Sequence, residues 1–86
     1  MLGLTIVQRR WLERGLGQRD GKLPLFDGDG RSIRPQTIKR CIELGYAEPW
    51  FRDPIRTDVP ICRLTLRGRT VAEASRRRMK KLAIDT

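Results

Sequence analysis

Pro35-Gln36-Thr37-Ile38-Lys39-Arg40-Cys41-Ile42-Glu43-Leu44-Gly45-Tyr46 contains a complete short helix together with its start and stop signals. Pro35 suits the first helical position, where its missing N–H would have no intrahelical partner, and Gly45 suits the left-handed residue that ends a helix. The expected helix therefore spans Pro35 to Leu44. Inside it Ile38, Cys41 and Ile42 recur at spacings of three and four and form one apolar stripe, while Gln36, Lys39, Arg40 and Glu43 fall on the other side. One face is suited to a core, and the other is free to read something.

Upstream lies Lys22-Leu23-Pro24-Leu25-Phe26-Asp27-Gly28-Asp29-Gly30-Arg31-Ser32-Ile33. Two short extended runs, Leu23 to Phe26 and Arg31 to Ile33, flank an Asp/Gly turn, and this pattern predicts a small β-hairpin. A calcium loop of the EF-hand type would need a third oxygen ligand before its Gly and a Glu at its twelfth position. Counted from Asp27 that position is Ile38, so no metal is expected. Earlier still, Thr5 can cap a helix, and Gln8 completes a Thr-x-x-Gln capping box. That helix is expected to run to about Arg14 with Val7, Trp11 and Leu12 on its core face, Trp11 as anchor, and Gly15 with Gly17 as its stop.

Downstream, Ala47 to Phe51 reads as a strand that Pro49 restricts to an edge or a bulge. Arg52 to Pro60 reads as a loop and Ile61 to Leu64 as the returning strand, with Trp50 and Phe51 expected to pack in the core or along the edge. Thr65 should cap a last helix from Leu66 to about Leu82. Its core face is expected to be Val71, Ala74 or Ser75, Met79 and Leu82, with Arg76, Arg77, Lys80 and Lys81 mostly outside it.

The chain has 86 residues, room for one domain with a modest core. Its 19 Lys and Arg against 10 Asp and Glu give a formal net charge of +9. That balance favours anionic partners, nucleic acid before a membrane surface. No apolar run approaches the roughly 18 residues that span a bilayer, and the stretch from Met1 to Val7 is too short for a signal-peptide core. A cytoplasmic location and no membrane association are expected. With no histidine, Ser-His-Asp and Cys-His constellations and the commonest metal ligand are excluded, so no enzyme activity and no cofactor is expected. Asp27, Asp29, Asp53 and Asp58 all sit in turn-forming sequence, which accounts for them without chemistry. Cys41 and Cys62 lack the C-x-x-C spacing of a zinc or redox site and read as small buried hydrophobes facing one core.

Two motifs occur in order around a basic connection. Thr37-Ile38-x-x-Cys41-x-x-x-Gly45-Tyr46 looks like a recognition-helix pattern, and Arg63-Leu64-Thr65-x-x-Gly68-Arg69 looks like the exit from a second wing strand into a following helix. Over roughly Arg34 to Ala72 the chain thus resembles the winged helix-turn-helix superfamily of small bacterial and phage DNA-binding proteins. The resemblance implies an α+β fold. It would be a small winged-helix-like domain with an N-terminal helix, short β-hairpin, recognition-type helix, two-stranded wing and basic C-terminal helix. The Asp/Gly hairpin stands where most members place a separate helix.

The implied function is a non-enzymatic module that binds double-stranded DNA, as in a transcriptional regulator. Gln36, Lys39 and Arg40 would enter the major groove, where Gln pairs with adenine and Arg or Lys with guanine. Arg31 and Arg34 before the helix, and Arg52 and Arg56 on the wing, would contact backbone phosphate. From Arg63 to Lys81 there are eight Lys or Arg residues against one Glu, so Arg76, Arg77, Arg78, Lys80 and Lys81 are further phosphate candidates. Charge alone would also suit an RNA- or ribosome-associated protein. Trp50, Phe51 and the terminal helices would suit a protein-interaction or dimerisation domain, and the sequence leaves a homodimer open.

Overall fold

The computed structural model describes residues 4–52, 54 and 58–84, with side chains to Arg77. Three helices and a two-stranded antiparallel sheet follow in the order α1 (Ile6–Leu16), α2 (Pro35–Glu43), β1 (Ala47–Arg52), β2 (Pro60–Leu64) and α3 (Leu66–Ile84), a small α+β protein. No helix among the described residues is long and apolar enough to cross a membrane.

The capping box at Thr5 is present in both directions. The Gln8 N–H donates to Thr5 Oγ1 at 3.1 Å, and the Thr5 N–H donates to Gln8 Oε1 at 2.9 Å. Trp11 and Leu12 are buried, and the Trp11 indole N–H donates to the Pro24 carbonyl at 2.7 Å, which pins α1 to the segment that follows it. Val7 departs from expectation and is 58% exposed: residues 5–7 are all at the surface, so the first turn of α1 overhangs the core. Gly15 departs as well. It lies inside α1, which continues to Leu16. A β-carbon there would come within 2.8 Å of Leu23 Cδ2 and 2.9 Å of Leu64 Cγ, so the glycine serves close approach and not termination. Gly17 caps the helix in a right-handed conformation.

After α1 the chain runs along β2. The Leu64 N–H donates to Gly21 O and the Leu23 N–H to Cys62 O, both at 2.8 Å, so Lys22 bridges Arg63 and β2 lies between this segment and β1. The Asp/Gly hairpin forms as a single bridge between Phe26 and Ser32, without full strands. The Asp27 carboxylate explains why it is so tight. It accepts the N–H groups of Asp29 and Arg31, both at 2.9 Å, doing side-chain work that ladder bonds do in a longer hairpin.

Helix α2 forms with Pro35 at its first turn. Gly45 has φ +80°, the Tyr46 N–H reaches Cys41 O, and the Gly45 N–H reaches Ile42 O, both at 3.0 Å. This pair of bonds is the Schellman ending that satisfies the last carbonyls of a helix. Ile38 and Cys41 are buried and Ile42 is half-buried, as the stripe predicts, and Thr37 joins them.

Strand β1 pairs with β2 from Ala47 opposite Leu64 to Arg52 opposite Pro60, with a register shift between Pro49 and Phe51. Pro49 thus stands at a bulge on an edge strand, where its missing N–H breaks no ladder bond. From Pro49 onward every residue of β1 is exposed. Trp50 and Phe51 are 38% and 46% exposed, against the expected packing, whereas Val59 and Ile61 at the same end of the ribbon are buried in the core.

Thr65 caps α3 by accepting the Gly68 N–H at 2.9 Å, and its hydroxyl donates to Gly45 O at 2.6 Å. One side chain therefore fixes the start of α3 to the end of α2. The core face of α3 agrees with the expected one at Val71 and Ser75 but is centred on other residues. Gly68 and Ala72 are buried, Val71 and Ser75 are half-buried, and Ala74 is exposed. Met79 and Leu82 carry side chains outside the described residues. The rotation follows from Gly68, which must face the Tyr46 backbone; Ala72, one turn on, then falls on the same side. Ser75 Oγ donates to Glu13 Oε2 at 2.7 Å and ties α3 to α1.

Cys41 and Cys62 are both buried and free in this one core. Burial pushes each thiol from its ordinary 9.0 up to about 11, with the neighbouring Cys62 adding to the effect at Cys41. A raised thiol pKa means the unfolded chain ionises first. The stability held by these thiols is therefore present below about pH 9 and is lost as pH rises toward about 11. Alkylation at neutral pH is expected to be slow for both until denaturant is added, and Cys41→Ser should cost about 1–3 kcal/mol. Rapid labelling of both thiols in native buffer would contradict this burial.

Candidate nucleic-acid interface

The exposed side of α2 presents Gln36, Lys39, Arg40 and Glu43, opposite the buried Ile38 and Cys41. Arg34 is its N-cap residue, held in an extended conformation with no side-chain cap bond, and its side chain is exposed. Arg31 follows the Asp27 turn and is also exposed. The turn spends the Asp27 carboxylate internally, and the Arg31 N–H is the first cause holding that carboxyl below its ordinary value. Both N–H bonds fall on Asp27 Oδ1, so the carboxylate is charged over the whole neutral range and one of its oxygens is committed to the turn that precedes Arg31.

These residues border an open groove of about 1540 Å³ between α1, the turn and the outer side of α2. It is lined by Arg31, Arg34, Gln36, Lys39 and Arg40, and by Arg76 from α3. Six of the sequence candidates are thereby brought to one concavity. Arg10 and Arg14 of α1 complete it and are not among the residues expected from sequence. Their signal was their spacing of four on α1, which places both on one helical face. Arg14 also donates to Phe26 O at 3.4 Å, reaching across to the turn. The groove carries seven cationic side chains against Glu13, Asp27, Asp29 and Glu43. Glu13 and Asp27 already accept hydrogen bonds from the protein.

The remaining candidates do not share the groove. Arg77 is exposed on α3 but does not line it, and Arg52 is exposed at the end of β1. Arg56 lies outside the described residues, as do Asp53 and the side chains of Arg78, Lys80 and Lys81. Among the described residues no three His, Cys, Asp or Glu side chains gather as a metal site would require.

Geometrically, the groove offers a row of guanidinium and ammonium groups in solvent, suited to several phosphates along a chain, beside a helix whose polar face can meet base edges. The two motifs from the sequence also meet in space. Gly45 and Tyr46 touch the first turn of α3 through Thr65 and Gly68, and the Arg67 guanidinium lies 5.5 Å above the Tyr46 ring. Set against protein-family models, curated proteins and solved structures, the chain matches none.

Proposed function

We propose that the protein is a non-enzymatic nucleic-acid-binding module that engages duplex DNA with α2, in a winged-helix-like arrangement whose wing is the β1–β2 ribbon. The observation that carries this reading is the gathering of Arg31, Arg34, Gln36, Lys39, Arg40 and Arg76 with Arg10 and Arg14 around one groove beside α2. The order of elements supports it, as does the amphipathic split of α2. Charge supports it too, since an excess of +9 on 86 residues is relieved beside a polyanion. In this reading Gln36, Lys39 and Arg40 contact base edges, while Arg10, Arg31, Arg34 and Arg76 hold phosphate.

Competition titrations at several salt concentrations test it. Replacing Arg10 and Arg76 by Ala is expected to weaken all duplexes alike and to lower the salt slope by about one unit per lost contact. Lys39→Ala with Arg40→Ala should instead flatten preference between sites, by about 1–3 kcal/mol per base contact. Structured RNA that competes as well as duplex would move the assignment to RNA. Absence of duplex binding even at low salt would end the nucleic-acid reading.

A further inference from the structure

Away from the groove, the sheet carries a second feature. Trp50 and Phe51 are consecutive, yet both are exposed, because the bulge after Pro49 breaks the alternation that would turn one of them inward. Their rings meet edge to face with centroids 5.3 Å apart and planes at 67°. A cation sits against each: the Arg63 guanidinium lies 5.5 Å from the Trp50 centroid and the Lys22 ammonium 5.8 Å from that of Phe51. The rings stay exposed even so. Arg63 and Lys22 are held in place from below by the backbone bridge between their own residues, and Glu48 pairs with Arg63 at 3.0 Å.

We infer that this sheet face is a stacking site for the unpaired bases of single-stranded nucleic acid, with Trp50 and Phe51 as platforms and Lys22 and Arg63 as phosphate partners. Flat π-faces are what a nucleobase needs, and every base has one. In a duplex those faces are already covered by neighbouring bases, so the site selects strands that are open. The two cations explain why the occupant is anionic as well as planar and apolar. A phosphodiester chain can draw Lys22 from its ring as a base takes the ring face, exchanging a cation–π contact for an ion pair and a stack, while Arg63, whose Nε is paired with Glu48, turns its remaining guanidinium N–H groups to a phosphate. This inference uses none of the groove residues that carry the duplex reading, although Trp50, Phe51 and Arg63 lie on the ribbon which that reading takes as its wing.

The two tryptophans make the test direct. Trp11 is 2% exposed and hydrogen-bonded inside the core, so quenching at the red edge of the emission reports Trp50. A single-stranded thymidylate oligomer is expected to quench that emission, and an abasic phosphodiester oligomer of the same length is not. By anisotropy of the labelled thymidylate oligomer, Trp50→Leu should weaken binding about 5- to 100-fold, and Trp50→Phe should restore most of it. Leucine keeps the apolar bulk and loses the π-face, so the pair separates stacking from simple burial. A blunt-ended duplex without unpaired bases serves as the control, and Trp50→Leu should weaken the thymidylate oligomer at least about fivefold more than it weakens this duplex. Equal binding of the abasic oligomer would overturn the inference in favour of charge alone. Absence of thymidylate binding would overturn it while leaving the duplex reading intact. Trp50 emission that shifts with protein concentration and ignores every oligomer would overturn it in favour of contact between copies of the chain. Thymidylate bound with no duplex bound would uphold it while the duplex reading fell.

Discussion

Gly68→Ala is expected to cost about 3 kcal/mol or more and to leave little native protein at physiological temperature. A β-carbon at this position would overlap the Tyr46 carbonyl oxygen and lie 2.7 Å from its carbonyl carbon, and both are backbone atoms that cannot turn aside. Relief requires α3 to move away from Tyr46. That movement would break the Thr65 hydroxyl bond to Gly45 O and the Thr65 N–H bond to Tyr46 O. Gly28→Ala is the control, because nothing lies within 4 Å of its added carbon. Thermal melts decide it: at about 4–8 °C per kcal/mol for a domain this size, Gly68→Ala should fall by more than 10 °C while Gly28→Ala barely moves. A Gly68→Ala protein melting with wild type would mean that α3 does not dock on Tyr46.

Trp11→Ala is expected to lose about 3–5 kcal/mol, much of what a chain of this length holds in reserve. The side chain is fully buried, so its removal leaves a cavity, and it also strands the Pro24 carbonyl that now accepts the indole N–H. Trp11→Phe separates the two losses, since it keeps most of the apolar volume and removes only the donor. Urea unfolding should place it between wild type and Trp11→Ala, about 1–2 kcal/mol below the former. Equal midpoints for Trp11→Phe and wild type would show that the Pro24 bond contributes nothing net.

What the sequence made legible was whatever depends on near neighbours. Pro35 and Gly45 bracket α2 because a helix start and a left-handed ending are local backbone requirements, and the Thr5 and Thr65 caps were readable for the same reason. Gly15 misled because a glycine that ends a helix and one that admits a distant side chain are written with the same letter. Its partners, Leu23 and Leu64, are remote in sequence. The face of α3 is legible only in part: Val71 and Ser75 lie at its half-buried margin, but its centre depends on small residues and not on hydrophobic ones. Gly68 and Ala72 set the rotation by letting backbones approach, while the larger Val71 is only half-buried. The groove was half visible. Its α2 and turn residues lie within one stretch of chain, whereas Arg10 and Arg14 join them only once α1 has docked. Joint exposure of Trp50 and Phe51 depends on where the register with β2 shifts, which the pairing of two strands decides and β1 alone does not encode.

The position of β2 between β1 and the Gly21–Leu23 segment sets an order of events during synthesis. A ribosome delivers Lys22 roughly forty residues before Arg63, an interval of seconds at about 5–20 residues per second. For that time the first half of the nascent chain has neither the strand it pairs with nor Leu64, which closes over Gly15. The fold therefore cannot close until β2 has emerged, and a chain that stalls before it would present Leu23 and the neighbouring Gly15 face of α1 to proteases and chaperones without their cover.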